Sequence, residues 1–309
     1  MGAVFTLSND QVAKYNPRTK FFDRIKLGNG KSYFDDFALD RHTDILFISD
    51  SANNTIYAYD TRHNVPNAIK TVRAPTRLET CQDSPWLFVV SEISQILSLV
   101  NYKSIFVLEP GSNKVVSTLP SARNPVMFIV SPDCRALYIV DKAGDSEASA
   151  LYRIDVSNKK IDGSLSLNGS AGGIGISPDG GTVYVSTARE GILVIRANGL
   201  NVESTIQLQD GTGRRLKPGE IVVTPDGKKL YATTDSNTIA VVDLEARVLL
   251  KLIETKFKAR TLAMDPAENM LYVVCYLVDI LVIDMATDNI AKRMTIGPGE
   301  IKKIAISRQ

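Results

Sequence analysis

Histidine is nearly missing from this sequence, with only His42 and His63 in 309 residues. That scarcity removes the usual base from a Ser-His-Asp or Cys-His arrangement. It equally disfavours a histidine-and-carboxylate metal site and axial ligation of a haem. Cysteine is almost as rare. Cys81, Cys134 and Cys275 have no metal-type spacing, and an odd count argues against a disulfide framework, so buried free thiols are expected, with pairing of Cys81 and Cys134 left open. No apolar run approaches the roughly 18–20 residues of a membrane helix, and no membrane association is expected. The start, MGAVFTLSND, has neither a basic segment nor an apolar segment of signal-peptide type. The compartment stays open between cytoplasmic and secreted with a leader removed. Met1-Gly2 with Thr6 formally fits a myristoylation pattern, but Val4 and Phe5 read as strand. Two sequons, at Asn53 and Asn168, matter only in a secreted eukaryotic protein. An excess of one charge is lacking too: 36 basic against 34 acidic residues leave +2. Bulk charge therefore gives no reason to expect nucleic acid or membrane as partner.

What is present is a repeat, and a repeat decides the fold before anything else. Its clearest copy is residues 224–243, TPDGKKLYATTDSNTIAVVD. Pro225-Asp226-Gly227 is turn chemistry, since proline pre-sets φ and glycine accepts a positive one. Residues 230–234 alternate as a half-buried strand does, 235–237 turn, and 239–242 form a second strand. Pro132, Pro178, Pro225 and Pro266 each precede a tyrosine by six residues: Tyr138, Tyr184, Tyr231 and Tyr272. Phe5, Phe47 and Phe88 continue the series upstream without the proline. The seven aromatics fall at spacings of 42, 41, 50, 46, 47 and 41, the period of a four-stranded propeller blade.

Each unit parses into four strands. The first is short and rich in small residues, at 37–39, 78–80, 127–130, 173–176, 220–223, 262–264 and 303–306. The second carries the aromatic. The third is at 12–15, 56–59, 105–108, 152–154, 193–195, 239–242 and 281–283. The fourth is more polar, at 22–27, 68–72, 115–119, 161–167, 202–208, 248–253 and 290–296. The chain opens on strands two to four of a unit and ends on a lone first strand, which predicts that 303–306 completes the N-terminal blade. Radial closure leaves only short protected edges, whereas a linear solenoid would need polar caps. The expectation is an all-β, seven-bladed β-propeller of four-stranded antiparallel blades in a single domain, 1–309.

The segments LYATT (230–234) with NTIAVVD (237–243), VYVST (183–187) and LYVV (271–274) resemble the YVTN-type β-propeller repeat. The resemblance covers 131–297 well and 1–130 by pattern. It implies seven blades but not one function, because such propellers include surface proteins, periplasmic binding proteins, haem- or quinone-linked proteins and lactonase- or cyclase-like enzymes. Function has to be argued from the loops.

In a propeller, ligands meet the face built by the strand-four-to-one and two-to-three connections, here termed the upper face. Those connections hold Arg77, Arg123, Arg214, Arg215, Lys217, Lys256, Lys258, Arg260 and, in a two-to-three loop, Arg189, interleaved with Asp35, Asp36, Glu79, Glu220 and Glu300. Arginine takes carboxylate or phosphate with a planar fork. Tyr33, Arg77, Tyr102, Arg123, Arg189, Arg215, Arg260 and Tyr276 are the candidate ligand-binding residues. Solvated loops carry such residues anyway, and tyrosines pack between blades. Residues 210–218, DGTGRRLKP, superficially suggest a phosphate cradle but lack the lysine and helix of a P-loop; a flexible loop is expected. Residues 92–103, EISQILSLVNYK, suit a short amphipathic helix or a lengthened hairpin that roofs a pocket, binds a partner or packs on its blade. Residues 141–150 form the matching, solvated insert.

The reading is a monomeric binding propeller whose upper face and channel mouth bind a protein or a small anionic ligand. The alternative is an enzyme on a small organic molecule, of cyclase, isomerase or lactonase type, using Arg and Tyr side chains at the same mouth. No catalytic residue, metal or cofactor is assigned. Nucleic acid is a weaker third option, since it needs arginine and aromatic side chains interleaved along a groove.

Overall fold

The computed structural model describes residues 3–16, 18–28, 31–70, 72–81, 84–93, 102–142, 149–276, 279–295 and 300–307. They form 28 strands. Blade 1 contains β1 (Ala3–Leu7), β2 (Val12–Asn16) and β3 (Phe21–Arg24). Blade 2 is β4 (Phe34–Asp40), β5 (Ile45–Asp50), β6 (Thr55–Asp60) and β7 (Val65–Ile69). Blade 3 is β8 (Pro75–Thr80), β9 (Leu87–Ile93), β10 (Tyr102–Glu109) and β11 (Lys114–Leu119). Blade 4 is β12 (Pro125–Val130), β13 (Ala136–Lys142), β14 (Ser149–Asp155) and β15 (Lys160–Leu167). Blade 5 is β16 (Ala171–Ile176), β17 (Thr182–Thr187), β18 (Gly191–Arg196) and β19 (Asn201–Ile206). Blade 6 is β20 (Pro218–Val223), β21 (Lys229–Thr234), β22 (Thr238–Asp243) and β23 (Val248–Glu254). Blade 7 is β24 (Ala259–Asp265), β25 (Met270–Cys275), β26 (Asp279–Asp284) and β27 (Asn289–Thr295). The last strand, β28 (Lys303–Ser307), returns to blade 1.

Every sheet has four strands in sequence order, except that blade 1 runs β28-β1-β2-β3. β28 pairs antiparallel with β1, Ala305 opposite Phe5. This is the closure expected of a seven-bladed β-propeller, and all seven repeat aromatics sit in the second strands. The fourth strand of blade 1 ends at Arg24 rather than reaching 27, one further backbone bond in the same register running from the Ile25 amide to the Val12 carbonyl. Residues divide into two compact units. The first is Met1–Ile139 with Ile154–Asp162 and Ile301–Gln309; the second is Val140–Arg153 with Gly163–Glu300.

Inside each unit the strand-two aromatic packs toward the following blade. In the first, Phe5 joins Phe34, Phe37, Ile48 and Tyr59, and Phe47 joins Leu78, Val89 and Leu108. In the second, Tyr231 joins Leu262, Leu271 and Leu281. Its hydroxyl also donates to Asp288 at 2.5 Å, and Lys229 reaches the same carboxylate at 2.8 Å. Burial and the Asp288 charge raise the Tyr231 pKa. Fully burying such a ring is worth about 1.5–3 kcal/mol, so each of these three aromatics helps to hold its blade against the next.

The turns from strand one to strand two repeat one device. Ser131, Ser177 and Thr224 donate to Asp133, Asp179 and Asp226 at 2.6, 2.5 and 2.6 Å and accept the amides of Ala136, Thr182 and Lys229. The hydroxyl holds each aspartate below the usual carboxylate range. The next residue has positive φ: Gly180 at 73° and Gly227 at 70°, but Cys134 at 63°. Cys134 forms a disulfide with Cys81, which follows β8; their Cα atoms lie 5.8 Å apart. This corrects the expectation of free thiols, which holds only for buried Cys275. The odd cysteine count concealed a pair plus one.

Candidate functional site

Five first strands carry a register irregularity at the same place: Phe34/Phe37, Pro75/Arg77, Ala171/Gly173, Pro218/Ile221 and Ala259/Thr261. Such irregularities bend a strand and re-aim its side chains. In the first unit they sit beside a charged cluster. Buried Asp36 on β4 takes Lys303 Nζ of β28 at 2.6 Å and the Leu78 amide of β8 at 3.0 Å. Its own amide donates to Ser49 Oγ at 2.9 Å. Glu79 on β8 lies beside this pair. It keeps some accessible surface, but its carboxyl is sunk deep enough that burial pushes it up to about 7; Lys303 opposes the shift and Asp36 adds to it. Burial also raises Asp35, whose carboxylate accepts the Ser51 amide at 3.2 Å.

The second unit presents its cations on two connections. In β19–β20, Asp210 Oδ1 accepts the Thr212 amide and hydroxyl and the Arg214 amide at 2.9, 2.6 and 3.1 Å, and Gly213 has φ +83°. Gln209 bridges Arg215. The segment expected to be a flexible loop is thus a hydrogen-bonded turn. Its base is anchored by Asp235, which takes the Lys217 amide at 3.0 Å and the Arg214 guanidinium at 3.4 Å. In β23–β24, Thr255 Oγ1 donates to the Phe257 carbonyl, and Lys256 lies 5.3 Å from the Phe257 ring centre. Arg215, Lys217, Lys256 and Lys258 all project into solvent. Arg260 is tied to Glu300 and lies over the Tyr276 ring at 5.6 Å. Below these connections, Thr261 Oγ1 donates to Glu220 at 3.1 Å, joining β24 to β20.

Of the candidate residues, Arg260 and Tyr276 are brought into contact. Exposed Tyr33 meets Lys302 instead, at 4.8 Å. Arg77 on β8 and Arg123 between β11 and β12 are exposed in the first unit, and Arg189 and Arg215 in the second. The Tyr102 side chain and residues 94–101 lie outside the described residues. The strands flanking them pair Ile93 with Tyr102, which is the hairpin alternative for 92–103. Residues 143–148 are likewise outside. Sequence reasoning passed over Lys303 as a strand residue; its signal was a lysine at the bulge position that Asp36 and Arg77 occupy in the next two blades. His63 sits in the β6–β7 turn, paired with Asp60 at 2.8 Å, and its hydrogen bonds hold Asp60 at about 2. Among the described residues no group of three or more metal-ligating side chains occurs.

No protein family matches the chain, and no curated relative does. Solved structures do. Hydrazine synthase of Kuenenia stuttgartiensis aligns at a TM-score of 0.73 and 15% identity, over 93% of both chains. A functionally unknown protein from Desulfotomaculum acetoxidans DSM 771 aligns at 0.75 and 15%, over 100% of this chain and 99% of that one. The common ground is the fold. At this identity the propeller architecture is shared and chemistry is not implied.

Proposed function

We propose that this chain is a binding propeller and that the β19–β20 and β23–β24 connections of the second unit receive an acidic protein segment. The observation that carries this reading is the set of solvent-facing cations, Arg215, Lys217, Lys256 and Lys258, on two ordered connections. Arg214 and Arg260 are already neutralised by Asp235 and Glu300. Cations of one sign held on fixed backbone attract an anionic partner at long range and lose that attraction in salt. Arg260 and Tyr276 would form the edge of this surface, with Arg189 nearer blade 5. The test is fluorescence anisotropy of a labelled oligoglutamate peptide between 20 and 300 mM NaCl. Binding should weaken about tenfold or more in Arg215→Ala/Lys217→Ala/Lys258→Ala. Equal affinity of the triple variant, or equal binding of an oligolysine peptide, overturns the reading.

A second reading is favoured by Glu79 alone. A carboxyl poised at about 7 beside a lysine suits proton transfer. It fits a cyclase, isomerase or lactonase-type enzyme acting on a small organic molecule in the first unit, with Tyr33 and Arg77 as binding groups. Hydrolysis of a lactone panel, followed in a pH-stat, should be lost in Glu79→Gln; no turnover by the wild type excludes the lactonase form.

A further inference from the structure

The charged cluster of the first unit lies where the first strands of three blades meet. The buried Asp36 carboxylate on β4 reaches both neighbours. One oxygen takes Lys303 Nζ from β28 at 2.6 Å and the Phe37 amide at 2.9 Å, and the other takes the Leu78 amide of β8 at 3.0 Å. A buried carboxylate with fixed donors from two other strands locks those strands to its own. β28 depends on such a lock. It stands at the end of its sheet, where β1 is its strand partner, and its other neighbour is β4. Lys303 makes the crossing to β4 and also lies 5.9 Å from the Phe37 ring centre.

Glu79 is the discordant member. It follows Leu78 on β8, and among the described residues no donor hydrogen-bonds to its carboxyl. The charged groups that face it are Lys303 of β28, which favours its ionised form, and Asp36 of β4, which opposes it. Within its blade β9 sets Phe88 opposite it. β12 is apolar throughout, and Asp50 of β5 is occupied by the Tyr33 and Asn53 amides. Burial outweighs the pull of Lys303 and pushes the carboxyl up to about 7.

We propose that Glu79 is a proton-operated latch on β28: the strand that completes blade 1 is held while Glu79 carries its proton and lifts more often once the proton is lost. Lifting β28 opens the cluster to water, where a carboxyl of this kind ionises near its ordinary 4.5. Between the two values the seated strand keeps a proton that the lifted one does not, so rising pH favours lifting. Lys303 leaves with the strand and acts in the opposite direction, but burial is the larger influence on Glu79. A lifted β28 leaves β1 with unpaired backbone groups along one edge. The latch requires no ligand.

Hydrogen–deuterium exchange of the full chain, read by mass spectrometry and corrected for the intrinsic pH dependence of exchange, tests this. Peptides covering β28 should lose protection about tenfold between pH 6 and pH 8.5, the ratio of protonated to ionised Glu79 at the lower pH. Peptides covering β21 in the second unit should keep theirs. Glu79→Gln should abolish the change, and Glu79→Met, which cannot titrate either, takes its place if the amide is poorly accommodated. Protection of β28 that is independent of pH, that rises with pH, that falls only in step with β21, or that falls equally in the non-titrating variant would each overturn the proposal.

Discussion

Glu79 is where a single side chain makes the protein's pH dependence readable. Its folded pKa of about 7 lies above the ordinary 4.5. Between those values the native state holds a proton that the unfolded chain has released. Its stabilising contribution is therefore complete below 4.5 and declines as pH rises through 7. The full span corresponds to about 3 kcal/mol at most. Glutamine mimics the protonated acid and does not titrate. The stability difference between wild type and Glu79→Gln, from urea unfolding, should thus move against the wild type between pH 4.5 and 7.5 and stay flat above. A difference independent of pH would mean that the carboxyl is solvated. The effect runs against the turn aspartates Asp133, Asp179 and Asp226, whose depressed pKa values remove stability as pH falls. Only the paired comparison isolates Glu79.

Strands and turns were legible because each carries a local physical signature. The Ser/Thr-Pro-Asp turns, the aromatic six residues later and the alternation of residues 230–234 fixed the blades. What stayed hidden depends on tertiary proximity. Nothing local says that Lys303 meets Asp36 across 267 residues, or that Lys14 and Tyr59 share Asn64. The Cys134 pairing did leave a trace: a cysteine where sister turns have Gly180 and Gly227 accepts a left-handed φ for a reason outside the turn. First strands show another such limit. On β16, a Cβ at Gly173 would lie 2.7 Å from the Gly219 carbonyl oxygen and 2.8 Å from the Ile221 amide nitrogen. Gly173→Ala must push two first strands apart and should cost about 1–3 kcal/mol. Gly211→Ala, with nothing within 4 Å, is the control and should be within about 0.5 kcal/mol of wild type. Thermal melts of the two variants check this; equal melting temperatures would show that β16 and β20 yield easily.

At the scale of the molecule, neighbouring blades within each compact unit share apolar clusters, and the N-terminal blade is completed by one strand, β28 on β1. The disulfide adds a covalent tie within the first unit, from the end of β8 to the β12–β13 turn, closing 53 residues of chain. In the chain-entropy treatment a loop of that length stabilises by about 4 kcal/mol, chiefly by restricting the unfolded state. Part is offset by the left-handed conformation forced on Cys134, about 1 kcal/mol for a non-glycine residue. Cys81→Ala/Cys134→Gly removes the bond and the strain together, so its net loss should be about 3 kcal/mol. Cys81→Ala/Cys134→Ser keeps the strain and should fall about 1 kcal/mol lower. Urea midpoints with and without dithiothreitol decide the matter. The wild type should drop in reductant toward the serine variant, while neither double variant responds. A wild type indifferent to reductant would mean the thiols are unpaired in solution. A responsive one would tie the stability of this propeller to an oxidising compartment, since such bonds persist there and are reduced in the cytosol.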